Sequence, residues 1–351
     1  MHELTVSERR ERADRYVFHG LHPHARFGTA SDRYAGWIGQ IYSSSFADRV
    51  SSRRRKLEGQ TFEERTVPVE SIAEYFEHFD VLEIDFTFYR PLEEDGLPTN
   101  YYGLLQEYAH YAPPHARFLL KAPQTYFARK FRRGTGGQAS YVDNPDFLNA
   151  SAYVSSFHRP AVNILGERLG GIIFEQEYQR KNESPAPEEN VAELNEFFRA
   201  LPNDVQAHLE IRTPHLLVPA YFDWLSSRGL GFVFSHWTWL PPLRDQWRLC
   251  GGTFTASDRN AVARLLTPLK MPYAKAYAVA HPFDRPVPEL AESRQTHFMT
   301  LDVTALIYQA EDKNAFVNVI TNNRAYGNAP ELGRFIAHRV LDEEEKRSAG
   351  A

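Results

Sequence analysis

A (β/α)8 barrel of the TIM type, with long βα loops, is the fold class that the sequence predicts, and three observations predict it. The first is the run Val81-Leu82-Glu83-Ile84-Asp85-Phe86, in which Leu82, Ile84 and Phe86 alternate with Glu83 and Asp85. Period-two alternation marks a strand. A strand that turns two carboxylates away from its covered face suits a barrel whose interior ends in an active site. Second, β-like runs recur eight times with amphipathic stretches between them, the alternation of repeated βα units around a parallel sheet. Third, 351 residues at 42% hydrophobic and 24% charged can bury a full core, and the length suits one barrel with insertions.

Taken in order, residues 1-25 are polar and rich in Arg and Glu, and read as an N-terminal extension without chemistry. Residues 26-342 read as a single barrel domain and 343-351 as a flexible tail. Strands are expected near 26-31, 81-86, 117-122, 171-176, 206-212, 231-236, 260-267 and 316-321. The seventh has two competitors, Trp247–Phe254 and Ala276–His281. Ile72, Tyr75, Phe76 and Phe79 recur at helical spacing before the second strand. Asn144-Pro145 resembles an N-cap with an N1 proline, and Pro187-Glu188-Glu189 opens another helix. Gly229 is a stop for the helix carrying Phe222 and Leu225. Thr300 or Asp302 can cap a helix with Val303, Leu306 and Ile307, and Asn328 can cap the last one. Long loops follow strands one (32-68), three (123-143) and seven (268-299), on the face where barrels collect catalytic groups.

Forty basic against 45 acidic residues, a net of -5, excludes a globally basic nucleic-acid binder but not a local basic patch. The single cysteine, Cys250, cannot form an internal disulfide, and no apolar run of about 18 residues or leader pattern is present. A cytoplasmic protein that does not cross a membrane is the expectation. The cofactor is left open, and because the HExxH, CxxC and Walker patterns are missing no metal site is assigned.

Alternation places Glu83, Asp85, Lys121, Gln176, His208, Glu210, Arg212 and His236 inward, converging at one end of the barrel. They read either as a catalytic set or as an electrostatic core, and residue types alone leave both open. Arg129, Lys130, Arg132 and Arg133, interleaved with Phe127 and Phe131 and followed by Thr135-Gly136-Gly137, lie in the third loop. Arg53-Arg54-Arg55-Lys56 lies in the first. Two basic loops on one face would draw an anionic ligand. After the last strand, Asn322, Asn323 and Arg324 precede Gly327-Asn328 and a helix start, a cradle for phosphate or carboxylate.

Read together, these motifs resemble the YecE-like proteins, the domain of unknown function 72 family. The resemblance runs from about Arg26 to Val340. It rests on Phe27-Gly28-Thr29-Ala30, Trp37-Ile38-Gly39-Gln40, Leu82-Glu83-Ile84-Asp85-Phe86 and Phe118-Leu119-Leu120-Lys121-Ala122-Pro123. It continues through Ile173-Phe174-Glu175-Gln176, Leu209-Glu210-Ile211-Arg212 and Asn322-Asn323. It implies a TIM barrel and a family without a settled activity. Gln176-Glu177-Tyr178 stands where the family has Gln-Leu-Pro, Arg212-Thr213 where it has Arg-His, and Arg264-Leu265-Leu266-Thr267 where it has Arg-Leu-His-Gly. The missing histidines imply a divergent member, with His281 and Asp284 as candidate replacements.

The expected function is general acid-base catalysis on a small anionic substrate, phosphorylated by the look of the cradle. Glu83, Asp85 or Glu210 would exchange protons, while Lys121 and Arg212 would hold or polarise the substrate. Gln176, His236, Arg264, Asn322, Asn323 and Arg324 would contact it. A nucleic-acid binder using the basic loops, and a non-catalytic scaffold, are the alternatives.

Overall fold

The computed structural model describes residues 4–133, 140–203 and 206–350. Eight parallel strands close into a barrel: β1 (Ala25–Ala30), β2 (Val81–Ile84), β3 (Arg117–Lys121), β4 (Leu169–Gln176), β5 (Ala207–Ile211), β6 (Gly231–His236), β7 (Asn260–Leu265) and β8 (Phe316–Thr321). Each expected strand is present, and β8 pairs with β1 to close the ring. Neither competitor for the seventh strand forms a strand: Trp247–Phe254 is the end of the helix Leu243–Leu249 followed by a turn, and Ala276–His281 lies almost wholly in the helix Tyr273–Ala280.

The barrel interior is layered. An apolar layer of Val81, Leu119, Ile173, Val233, Val262 and Ile320 fills the middle, separate from the larger core between strands and helices. Below it His208 lies flat between two glycines, since a Cβ on Gly231 would sit 2.2 Å from its Nδ1 and one on Gly171 would sit 3.0 Å from its Cδ2. Burial pushes His208 down to about 4, so it is neutral there. Above the apolar layer come the charged side chains that form the floor of the site.

The outer core depends on the aromatic stripe read from the sequence. Ile72, Tyr75, Phe76 and Phe79 are all buried, and the Tyr75 hydroxyl donates to the Val81 carbonyl (2.9 Å) while accepting from the Thr29 amide (2.9 Å). One phenol thereby joins β1 to β2 at the point where the site begins.

Several local expectations change. Asn144 caps no helix; its Nδ2 donates to the Thr125 and Ala128 carbonyls, and Asn149 caps the helix that follows. Thr300 and Asp302 lie within Arg294–Asp312, whose cap is Ser293, because periodicity without a strong stop let the helix extend a further two turns. Residues 343–350 of the tail expected to be flexible continue the last helix, Ala329–Gly350. They are held there by ion pairs of Glu344 with Arg9 and of Glu345 with Arg10, from the N-terminal helix Val6–Asp14. No helix among the described residues is long and apolar enough to cross a membrane.

Gly28 sets the approach of β1 to β2, because a Cβ there would lie 2.0 Å from the Val81 carbonyl oxygen. Gly28→Ala is therefore expected to destabilise the barrel by about 3 kcal/mol through overpacking. A chemical-denaturation midpoint unchanged from wild type would refute this reading of the β1–β2 contact.

Candidate functional site

Arg264 on β7 reaches the barrel axis and is nearly inaccessible to solvent. Its Nε and Nη2 donate to the two oxygens of Glu83 at 2.7 and 2.5 Å, a bidentate pair. Its Nη1 donates to Glu210 and, at 3.4 Å, to Glu175. Lys121 reaches the same Glu175 oxygen at 2.5 Å, and Arg212 reaches it at 2.9 Å while meeting Glu210 at 3.4 Å. Three carboxylates thus face three cations, and the formal charge cancels. Ser235 donates to Glu210 at 2.6 Å.

Burial alone would raise Glu175 and Glu210, since a low-dielectric site disfavours charge. The cations win: Arg212, Lys121 and Arg264 hold Glu175 at about 2, and Arg264 and Arg212 hold Glu210 below its usual range. Lys121 moves down, because burial outweighs its carboxylate partners. The cluster is thus a network of fixed charges.

Beside it lies a cavity of about 540 Å³ over the ends of β1 and β2, with Glu83 and Asp85 in its wall. β2 ends at Ile84, and Asp85 opens the helical turn Phe86–Phe88. Asp32, just past β1, also lines the cavity. Its Oδ1 accepts from the Tyr108 hydroxyl at 2.7 Å, and its buried Oδ2 has no partner among the described residues. Burial pushes this carboxyl up to about 6, against the pull of Arg33 and Tyr108 and with the help of the Asp85 charge.

The roof is the hairpin Ser51–Leu57/Gln60–Thr66. Its basic run is partly neutralised: Glu64 accepts from Arg53 (2.7 Å) and Arg55 (2.8 Å), and from the Tyr277 hydroxyl (2.7 Å). Arg55 also donates to the Tyr273 hydroxyl at 3.1 Å. His281 and Asp284 line the cavity too, with His281 Nε2 2.9 Å from the Glu63 carbonyl.

On the β8 side, the cradle closes on itself. Asn322 Oδ1 accepts from the Arg324 amide (3.0 Å), and Asn323 Oδ1 accepts from the Ala329 amide (2.7 Å). Arg324 instead stacks 4.6 Å over Tyr273 and makes no ion pair among the described residues. It is close enough to act on the phenols of Tyr34 and Tyr89, which line the cavity.

The structure therefore gathers Glu83, Lys121, Glu210, Arg212 and Arg264 into one cluster, with Asp85 in the wall of the adjoining cavity and Arg324 outside that wall, on Tyr273. It does not bring Gln176 or His236 into that cluster. Both take the outward parity of their strands: Gln176 donates to Asn190 Oδ1 (3.0 Å), and His236 Nδ1 donates to the Thr267 carbonyl (2.8 Å). Burial holds His236 down at about 4. The inward residues at those places are Glu175 and Ser235. Counting alternation from Ile173 would have found Glu175; for Asp32 nothing in the sequence signals burial. Arg129 pairs with Glu193, and Lys130 lies 3.8 Å from Asp143. Thr135, Gly136 and Gly137 lie outside the described residues. Cys250 is buried, which raises its thiol and argues against a nucleophile.

The sequence matches the family described as "Protein of unknown function DUF72" over residues 26–350. The chain is similar to a DUF72 family protein from Thermotoga maritima, at 14% identity and a TM-score of 0.54, covering 91% of this chain and 99% of that one. A DUF72 family protein from Enterococcus faecalis matches at 17% identity and 0.47, over 91% and 95%. An alpha-L-fucosidase from Paenibacillus thiaminolyticus matches at 12% and 0.35, over 96% and 76%. At these identities the Thermotoga likeness speaks for the barrel fold alone, and the other two carry no argument. No curated protein matches the chain.

Arg264→Leu would leave three buried carboxylates without their common partner, an expected loss of about 3–5 kcal/mol at neutral pH. The pH dependence separates the two proteins. Glu175, lowered from 4.5 to about 2 in the fold, contributes stability above pH 4.5 that wild type loses as pH falls toward 2. In the variant, protonating the orphaned glutamates relieves their repulsion, so its deficit should shrink on acidification. Urea titrations showing a deficit independent of pH would contradict the network.

Proposed function

The chain belongs to the DUF72 family, and on that footing we propose that it is an enzyme using general acid-base chemistry on a small anionic, phosphorylated substrate held in the β1–β2 cavity. One observation carries the reading: the Asp32 carboxyl is buried at that cavity, has an oxygen without a partner among the described residues, and sits at about 6. A carboxyl tuned to that value carries a proton to give and still releases it near neutral pH.

Asp32 is assigned as the proton donor, with Tyr108 fixing its orientation through Oδ1. Asp85, half-buried in the same cavity, is the second carboxylate. Arg324 and Arg55, which flank Tyr273, would hold the anionic end of the substrate, with Arg33 beside Asp32. Glu83, Glu210, Lys121 and Arg212 act in this reading as a rigid floor. Glu210 in particular accepts from Arg264, Arg212 and Ser235 and has little capacity left for proton transfer. Asn322 and Asn323 act through the backbone, setting the turn that presents Arg324.

A thermal-shift panel of sugar phosphates, nucleotides and sugar acids tests the binding half, since a ligand at about 100 times its Kd adds roughly 2.7 kcal/mol. Arg324→Ala should erase the shift given by the phosphorylated compound. With that compound as substrate, Asp32→Asn should lower turnover by about 10²–10⁴. Wild-type activity should fall as pH rises through about 6, because the acid form of Asp32 is the working one. Full turnover by Asp32→Asn would remove this residue from the mechanism.

A further inference from the structure

Across the barrel mouth from the cavity, the loops after β4 and β6 carry aromatic side chains that the core does not use. Tyr178 is 43% exposed and Trp239 is 49% exposed. Their rings lie 6.3 Å apart at 41°, and Tyr178 lies 6.5 Å from Trp237. Trp237 is backed by the Arg212 guanidinium at 4.7 Å, and Arg212 is in turn tied to Glu175 and Glu210. The charged floor therefore props up one edge of an open aromatic shelf.

The loops beside the shelf carry several cations, some of them paired with acids. Glu177 accepts from the amides of Arg129 and Lys130, both at 3.1 Å, so the basic loop after β3 is stitched to the residue before Tyr178. Arg180 and Lys181 follow on the other side, both exposed. Between them, Gln179 is buried with neither side-chain amide atom bonded among the described residues. Exposed π-faces flanked by cations suit a chain of alternating planar rings and negative charges. Arg129, Lys130 and Arg180 face Glu193, Asp143 and Glu183, whereas Lys181 makes no ion pair among the described residues and is left for a phosphate.

The geometry points to a base-stacking subsite for single-stranded nucleic acid at Tyr178 and Trp239, with phosphates drawn to Lys130 and Lys181. It is a binding surface separate from the β1–β2 cavity and independent of the acid-base chemistry proposed there.

Fluorescence anisotropy of a short labelled oligothymidylate, against an abasic oligomer of equal length and charge, isolates the base. Wild type is expected to prefer the base-bearing strand by about ten-fold or more at low salt. Tyr178→Ala with Trp239→Ala should bind both oligomers alike, and Trp239→Phe should retain most of the preference. Lys130→Ala with Lys181→Ala should weaken both oligomers equally and flatten the salt dependence. Equal binding of the two oligomers by wild type, a preference that survives loss of both rings, or binding of neither oligomer would each overturn the assignment. None of these outcomes touches the assignment of Asp32, whose test is turnover.

Discussion

Everything at the open end of this barrel depends on one guanidinium. Arg264 sits on the axis with almost no contact with water and binds carboxylates from β2, β4 and β5 at once. Removing so many charges from water costs several kcal/mol per ion, and their attraction offsets that only when the donors and acceptors are closely matched. A planar fork with five donors can do this where a lysine could not. The flanking cations Lys121 and Arg212 complete the match, and the cancellation of formal charge makes a closed polar layer above an apolar one tolerable.

That layer also decides what the neighbouring groups can do. A carboxylate saturated by guanidinium and ammonium donors is a poor proton carrier, so charge density alone does not mark the reactive group. Asp32 has a sparser environment: it is as buried as the glutamates, with Arg33 nearby, but among the described residues a single phenol is the side chain that donates to it and Oδ2 has no partner. Burial without compensation raises an acid, and burial with compensation lowers it. The two outcomes stand side by side, Glu175 at about 2 and Asp32 at about 6. The loops exploit the same contrast. Arg53 and Arg55 of the hairpin are held by Glu64, whereas Arg324 above Tyr273 makes no ion pair among the described residues.

The barrel was legible because burial repeats at short range. Leu82 and Ile84 against Glu83 show the two faces of β2, and the spacing of Ile72, Tyr75 and Phe76 shows the helix that covers it. The inward glutamates Glu83 and Glu210, with Lys121, could be named for the same reason, whereas Arg264 is named through the family resemblance. Gln176 and His236 were misplaced by one residue, and on a strand one residue reverses the face. Helix starts were less legible, since Asn144 and Asp302 have capping chemistry but are used otherwise. A cap depends on where the chain turns, and a short polar side chain takes whichever backbone group is nearest.

By itself the sequence determined the parallel barrel, its eight strands, the face on which the loops gather and most of the charged floor. These follow from local periodicity and from the one hand in which βα units close. Tertiary structure alone decided which acids are compensated and which are not. Glu175 acquires three cations and Asp32 a single phenolic donor through contacts that join residues far apart in the chain. The same holds for the aromatic shelf, where loops after two different strands bring Tyr178 and Trp239 together. Proton affinity and ligand shape are properties of such surroundings, and no stretch of sequence contains its own surroundings.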